Sequence, residues 1–373
     1  MKRLFVLVAL ALVAVCGSCL SSTECNVPER QGWNDCIGPI SDNIPFPLYG
    51  NVESVTKTHY NCCEKFGEVV RGSIRYCVKD YFNEAGDVYE ENFYGSDGSL
   101  SEKIVYNYDP KGNMIEKICY HSFNELFWKY AWIYDSKGNI IEEAFYSSNS
   151  SLNSNTIYKY DPQGNMTEKA KYSSDGSLDS KDIYIYDHKG NRIEWASYGS
   201  NGSLLSKCAY DVNGNVTEMA ECRLDGSLSP KYTFKYDSKG NVIEEAWYKS
   251  DGSLSSKTVF AYDLNGNKTE RVSYRANGSL SSKTIYTYDS EGNKIEEASY
   301  NLDGSLSSKY AWKYDSRGNM TEKAQYGSDG LLSSRYAWKY DTKGNLVEEL
   351  SSFNSHVKGN PLSIKVYEIT YRN

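Results

Sequence analysis

The aromatic and other regularly placed side chains are mostly two residues apart along most of this chain, within units that repeat every 26 residues. The regularly occupied positions of one unit are Leu306, Lys309, Trp312, Tyr314, Gly318, Asn319, Glu322, Ala324 and Tyr326. A spacing of two is the period of a β-strand, and nothing recurs at three and four as a helix requires. The pattern therefore predicts two antiparallel strands in every unit.

Each unit contains a marker Asp, followed three residues later by Gly and then by Asn, and we number positions in a unit from this Asp as zero. The markers are Asp109, Asp135, Asp161, Asp187, Asp211, Asp237, Asp263, Asp289, Asp315 and Asp341. A degenerate eleventh copy begins at Asn83. Repetition at a fixed period predicts one long array instead of separate globular domains.

Two turn signatures separate the strands. The first begins at the marker Asp and has Gly at position +3, and Pro110 and Pro162 occupy its second place, as a type I turn favours. The second turn, for example 250–253, fits either a three-residue loop or a two-residue type I′ turn. We expect three-residue loops at both turns.

Three-residue loops at both turns would place every odd-numbered position on one face of the sheet. That face would carry the aromatics at −3 and −1, Glu at +7, Ala at +9 and Tyr at +11, with Glu facing the aromatic at −3. The interval from Asp187 to Asp211 is 24 residues, and a deletion of two near Lys207 and Cys208 keeps the strand in phase.

No single unit buries enough apolar surface to fold alone, so the units must stack into one continuous sheet. The predicted fold is all-β, an antiparallel meander of about eleven units that forms a spiral or an open twisted sheet; closure into a barrel is left open. The predicted segments are a signal peptide at 1–19, a Cys-rich head or cap at 20–80, the array at 81–350 and a closing strand within 351–373.

The residues Tyr314-Asp315, Gly318-Asn319 and Tyr326 resemble the YD repeat of Rhs proteins, teneurins and toxin-complex shells. The resemblance covers roughly Tyr81 to Glu349. It implies antiparallel hairpins wound into a spiral shell or barrel, an exported location and contact with cell surfaces or carbohydrate. It implies no catalytic residues, and a shell-like fragment related to Rhs-type toxins is one alternative function.

The N-terminus predicts export. Leu4 to Val15 form an apolar run after Lys2 and Arg3, too short to span a bilayer. Cys19 is a candidate for lipidation, with simple cleavage nearby as the alternative. The eight cysteines after Cys16 and Cys19 form an even set compatible with disulfides, and their pairing cannot be deduced from spacing. They are Cys25, Cys36, Cys62, Cys63, Cys77, Cys119, Cys208 and Cys222.

Charge and motifs argue against several functions. The net charge of −8 leaves no basic face for nucleic acid. Glu occurs at +7 in all units, and eleven equal carboxylates do not make the single constellation that an enzyme needs. We expect a structural ladder that bonds Tyr hydroxyls or Lys, with a linear ligand track as the alternative, and neither metal nor cofactor. Its clearest members are Glu244, Glu270, Glu296, Glu322, Tyr248, Tyr274, Tyr300 and Tyr326.

Four aromatics fall on the opposite face, where they are candidates for stacking on a sugar ring, or else padding between windings. They are Phe93, Phe145, Trp195 and Trp247. The sequence therefore predicts a secreted or cell-surface, non-enzymatic protein that offers an extended surface to a polysaccharide or a protein. A carbohydrate-binding adhesin is the specific alternative, and an enzyme is the third class.

Overall fold

A computed structural model describes residues 48–65, 68–222, 228–353 and 363–372. These residues form 24 β-strands. In chain order the strands are β1 Val52–Lys65, β2 Glu68–Phe82, β3 Val88–Tyr94, β4 Leu100–Tyr108, β5 Met114–His121, β6 Leu126–Tyr134, β7 Ile140–Ser147, β8 Leu152–Tyr160, β9 Met166–Ser173, β10 Leu178–Tyr186, β11 Arg192–Gly199, β12 Leu204–Tyr210, β13 Val216–Cys222, β14 Leu228–Tyr236, β15 Val242–Tyr248, β16 Leu254–Tyr262, β17 Lys268–Arg275, β18 Leu280–Tyr288, β19 Lys294–Tyr300, β20 Leu306–Tyr314, β21 Met320–Tyr326, β22 Leu332–Tyr340, β23 Leu346–Phe353 and β24 Ser363–Tyr371. The predicted all-β class is confirmed.

Each strand pairs antiparallel with the next, and β1 pairs with both β2 and β24. The sheet therefore closes on itself, which corrects the expectation of a spiral or an open twisted sheet. Closure gives hydrogen-bond partners to the backbone groups that the two edge strands of an open meander would expose. Residues 52–65 and 68–80 of the predicted head belong to β1 and β2 of this same sheet.

The turns are three-residue loops, as predicted. At the first turn, the amide of Asp315 donates to the carbonyl of Asn319 over 2.9 Å, and that of Gly318 donates to Asp315 over 3.0 Å. At the second turn, the amide of Gly327 donates to Leu331 over 2.9 Å. Gly318 has a φ of 82°, a left-handed conformation that costs glycine little.

In the repeat hairpins, the predicted register holds for the pair beside each turn and is wrong by one residue beyond that pair. Tyr314 lies opposite Met320, but the next pair is Lys313 and Glu322, so Thr321 has no partner. A second such bulge leaves Ser307 unpaired beside the other turn. Each bulge inverts the alternation on one strand relative to its partner. The odd positions therefore do not share a face, and Tyr314 and Tyr326 lie on opposite sides of the sheet.

The corrected register defines two faces. On the first, which we call the aromatic face, residues at −1, −3 and −5 lie opposite residues at +5, +8 and +10, as Trp312 does opposite Lys323. On the second, the ionic face, residues at −2, −4 and −6 lie opposite those at +7, +9 and +11, as Lys313 does opposite Glu322.

The short unit obeys the predicted rule. Strand β12 has seven residues where most equivalent strands have nine, and Cys208 lies opposite both Trp195 and Met219 on the aromatic face. The two missing residues therefore leave the alternation of side chains intact.

Buried side chains on both faces hold the sheet together. On the aromatic face of β2 to β5, a hydrophobic cluster joins Val78, Phe93, Ile104, Tyr106 and Cys119. On the ionic face, the Ala at +9 is buried beneath longer neighbours in most units. These alanines are Ala144, Ala170, Ala196, Ala246, Ala298 and Ala324.

Candidate functional site: the aromatic face of the closed sheet

The predicted Glu ladder lies on the ionic face, where it pairs with lysines and not with the aromatics at −3. Glu322 contacts Lys313 of its own hairpin at 3.0 Å and Arg335 of the next unit at 2.5 Å. Glu244 is held in the same way by Lys235 at 2.7 Å and Lys257 at 3.4 Å. The expectation that Glu faces the aromatic at −3 is therefore wrong, because the bulge at +6 moves it by one position.

The other ladder members follow the same scheme. Glu296 pairs with Lys309 at 3.4 Å, and Glu270 pairs with Lys283. The hydrogen bond from Lys235 lowers the pKa of Glu244. Tyrosines at +11 lie beside Leu at −9 of the following strand, as Tyr326 does opposite Leu332. The remaining pairs are Tyr248 with Leu254, Tyr274 with Leu280, and Tyr300 with Leu306. The Glu carboxylates of the ladder at +7 therefore already have cationic partners.

The marker Asp caps its own turn. Asp315 Oδ1 accepts hydrogen bonds from the amides of Arg317 and Asn319, and Oδ2 accepts one from Asn319 Nδ2 at 3.0 Å. The side-chain hydrogen bond from Asn319 lowers the pKa of Asp315. Among the described residues, no cluster of three or more His, Cys, Asp or Glu side chains could hold a metal ion.

The Tyr at −1 has a role that the sequence analysis missed. Its hydroxyl donates to the backbone carbonyl at +5 of the preceding unit, as Tyr314 does to Lys294 over 3.0 Å. The same bond occurs in most units: Tyr108 to Val88, Tyr134 to Met114, Tyr160 to Ile140, Tyr186 to Met166, Tyr236 to Val216, Tyr262 to Val242, Tyr288 to Lys268 and Tyr340 to Met320. The recurrence of Tyr, but not Phe, directly before the marker is the sequence signal for this bond.

The four predicted stacking residues lie on the same face as the aromatics at −1 and −3, and not on the opposite face as expected. Their environments differ. Phe93 is 5% exposed within the hydrophobic cluster, so it is not available to a ligand. Trp195 lies half-buried opposite Tyr184, and Phe145 lies half-buried against Tyr130 at 4.8 Å between ring centroids. Trp247 is 39% exposed, which makes it the most accessible of the four.

Trp247 forms a platform with Tyr232 on the neighbouring strand. The ring centroids are 6.0 Å apart and the ring planes differ by 2°. Tyr232 and Trp247 are directly opposed in the β14–β15 pair, and Phe234 lies two residues along β14 on the same face. Tyr232 is half-buried and stacks on Trp247, so the exposed part of Trp247 offers apolar aromatic surface supported by a second ring.

Charged groups border this platform on the same face. Glu245 lies opposite Phe234, and burial raises its pKa, while Arg271 and Lys268 act in the opposite direction. Burial lowers the pKa of Lys268, whose ammonium lies 4.3 Å from the centroid of Phe260. Carboxylate and ammonium groups beside aromatic rings can hydrogen-bond the hydroxyls of a ligand that stacks on the rings.

The charges opposite the −3 aromatics follow a two-unit period that the sequence analysis also missed. At +8, acid and base alternate from one unit to the next, with two neutral residues in the middle of the array. In chain order the residues are Glu91, Lys117, Glu143, Lys169, Trp195, Met219, Glu245, Arg271, Glu297, Lys323 and Glu349. The period of 52 residues is readable from sequence once +8 is placed opposite −3.

Cys77, Cys119 and Cys222 are free thiols. Burial raises the pKa of Cys119 to about 12. The predicted lipidation residue Cys19 and the predicted signal peptide lie outside the described residues. In the part of the chain that the structure covers, no helix is long and apolar enough to cross a membrane.

No protein-family model and no curated protein matches the chain. Among solved structures, it resembles the TcdB2-TccC3-Cdc42 complex at 11% identity and a TM-score of 0.19, over 84% of this chain and 25% of that one. The Photorhabdus luminescens Tc holotoxin pore matches at 10% identity and a TM-score of 0.19, over 83% of this chain and 26% of that one.

A porin-like protein from Bacteroides uniformis matches at 9% identity and a TM-score of 0.23, over 86% of this chain and 96% of that one. The present chain spans about a quarter of the length of the toxin chains. Identities and TM-scores this low carry no information on the activity or the partners of this chain.

Proposed function

We propose that this chain is an exported, non-enzymatic β-repeat protein whose aromatic face binds a polysaccharide at a cell surface or in the secreted medium. The observation that carries the proposal is the platform of Tyr232 and Trp247, two parallel rings on adjacent strands with Trp247 39% exposed. The apolar face of a sugar ring stacks on such a surface, and its hydroxyls bond the polar groups around it.

Equivalence of the units supports a binding role over an enzymatic one. Ladder carboxylates such as Glu244 and Glu322 each hold two cations and so lack the distinct environments of an acid and a base. Weak contacts that repeat along one bound polymer instead increase the total affinity, because each contact raises the effective concentration of the polymer at the next unit. Export is inferred from the apolar run at Leu4 to Val15, and lipidation of Cys19 would tether the protein to a membrane.

The test is a glycan array probed with the purified mature protein, followed by titration of the best ligand. We expect Trp247→Ala to weaken binding about tenfold, since stacking on one aromatic ring contributes on the order of 1 kcal/mol. The matched control is Tyr248→Ala, which truncates the adjacent aromatic residue on the ionic face. Equal binding by wild type and Trp247→Ala, or no glycan binding by the folded protein, would contradict the proposal.

A further inference from the structure

Between Glu245 and Glu349, the residues at +8 supply most of the charge of the aromatic face, together with Lys268 and Lys294 at +5. Their order limits what this face can bind. Each residue at +8 lies directly opposite the residue at −3, as Glu245 does to Phe234, Arg271 to Phe260 and Glu297 to Tyr286. In the longest regular run, from Glu245 to Glu349, three acids alternate with two bases. No cation in this row therefore has another cation as its nearest neighbour in the row.

Successive +8 residues are two strands apart, which is about 10 Å across the sheet. This separation is close to the Debye length of about 8 to 10 Å at physiological salt, so neighbouring charges of opposite sign largely cancel at a distance. A polymer with one charge sign per repeat would meet repulsion about as often as attraction along the row. It would also have to desolvate half-buried groups such as Glu245 without gaining a partner of opposite charge.

The charged side chains already interact with the aromatic face. Lys294 lies 4.3 Å from the centroid of Trp312 and 2.8 Å from Glu297, and Lys323 lies 5.4 Å from the centroid of Tyr310. Glu143 accepts a hydrogen bond of 2.9 Å from the indole of Trp132. The charges therefore surround the rings as hydrogen-bonding groups with local counter-ions.

From this arrangement, which rests on the proposed function, we infer that the ligand of the aromatic face is an uncharged glycan polymer. Its ring faces stack on the exposed aromatics, and its hydroxyls bond the alternating carboxylate, ammonium and guanidinium groups. The alternation acts as a specificity device, since it rejects polyanions such as uronate polymers and nucleic acid as well as polycations.

The experiment compares three soluble polysaccharides of similar length: a neutral β-glucan, polygalacturonate and quaternised chitosan. We expect the β-glucan to bind at least about tenfold more tightly than either charged polymer, with little dependence on salt, since few ions are released. Tighter binding of polygalacturonate, weakened by salt, would overturn the inference while leaving glycan binding intact. Failure of all three polymers to bind would overturn the proposed function as well.

A charge-swapped variant sharpens the test. The double variant Arg271→Glu with Lys323→Glu makes the row from Glu245 to Glu349 entirely acidic. We expect it to gain salt-sensitive binding of quaternised chitosan by about tenfold while its β-glucan affinity changes by no more than about twofold. The control Lys249→Glu with Arg275→Glu makes the same change of net charge at exposed positions near the second turns. Equal gains in both variants would show that net charge, and not the row, excludes the polycation.

Discussion

At the scale of single residues, the repeat is maintained by backbone positions that accept few alternatives. Glycine takes the left-handed place in most second turns, but Asn124 and Ser150 take it in two of them, with φ of 60° and 62°. Asn tolerates this conformation better than Ser, because its side chain forms local hydrogen bonds. Ser150 is therefore a point of stored backbone strain in the described array.

Replacement of this serine is expected to stabilise the protein. Ser150→Gly should raise the free energy of unfolding by about 1 kcal/mol, because relief of the left-handed penalty exceeds the added entropy of the unfolded chain. Urea denaturation followed by intrinsic fluorescence measures the change. Ser148→Gly, in the same loop but without a positive φ, is the control and should be neutral or slightly destabilising. Stabilisation of equal size by both variants would contradict this account.

At the scale of strands and hairpins, the Tyr at −1 links one unit to the unit before it. Tyr314→Phe removes the hydroxyl bond to the carbonyl of Lys294 and keeps the ring. We expect a loss of about 1 kcal/mol in unfolding free energy and faster amide exchange in β19 and β20. Tyr326→Phe is the matched control, because Tyr326 is packed on the ionic face beside Lys309 and Leu332. An equal loss in both variants would mean that the hydroxyl bond adds nothing specific.

The first strands contain a buried pair whose effect depends on pH. Lys57 and Asp80 are 2.8 Å apart and almost fully buried, and burial raises the pKa of Asp80 from 3.8 to about 6 despite Lys57. The folded state therefore holds this proton more tightly than the unfolded state. The contribution of Asp80 to stability is greatest below pH 3.8 and is lost as the pH rises through about 6.

We predict that Asp80→Asn flattens the fall in unfolding free energy between pH 4 and about 6, a change of up to about 3 kcal/mol in wild type. The measured quantity is the slope of the unfolding free energy against pH. Its absolute value is not used, because the variant also alters the surroundings of Lys57. Asp109→Asn is the control, and it should change the pH slope in the opposite direction, because a hydrogen bond from Asn113 lowers the pKa of Asp109. An unchanged slope in Asp80→Asn would show that Asp80 titrates normally.

Much of the hairpin architecture is predictable from the sequence, and the faces of the sheet are not. Turn residues and a period of two specify the strands, the three-residue loops and the final strand Ser363–Tyr371. The bulge residues Thr321 and Ser307 look like ordinary strand residues, because nothing local marks a position without a partner. Once the register is wrong by one, Glu322 is assigned the wrong partner, and Tyr314 is placed on the same face as Glu322 and Tyr326.

The candidate site was partly predictable for the same reason. Even positions on the second strand of each unit do share one face, so Trp247 and Trp195 were assigned together correctly. The burial of Phe93 depends on Val78, which lies in β2 before the regular repeats begin. The alternation of charge at +8 can be read from the sequence. That these charges lie opposite the aromatics at −3 could be learned only from the register of the strands.

At the scale of the whole molecule, closure depends on a seam that the repeat pattern does not specify. Strand β1, which carries no repeat signature, pairs with β24 from Val52 opposite Tyr371 to Asn61 opposite Ser363. Arg71 on β2 also reaches Glu348 on β23 at 2.6 Å. Because the repeats pair only with adjacent repeats, this seam decides between a closed and an open form.

Asn345 is the best single test of the seam. It is 0% exposed, its Oδ1 accepts a hydrogen bond from the amide of Tyr49, and its Nδ2 donates to the carbonyl of Tyr49 at 3.0 Å and to the hydroxyl of Tyr371 at 2.7 Å. The equivalent Asn319 bonds the marker Asp of its own turn. Asn345 also bonds its own marker, Asp341, so the two asparagines differ in the bonds that Asn345 adds across the seam.

We predict that Asn345→Ala costs about 2 to 3 kcal/mol of unfolding free energy, because it removes three hydrogen bonds to Tyr49 and Tyr371, whereas Asn319→Ala costs about 1 kcal/mol. Hydrogen exchange should show faster exchange in β1 and β24 for Asn345→Ala, and only local change beside the turn for Asn319→Ala. If both variants lose the same stability and β1 stays protected, the seam is held by its backbone ladder alone, and Asn345 is only another turn residue.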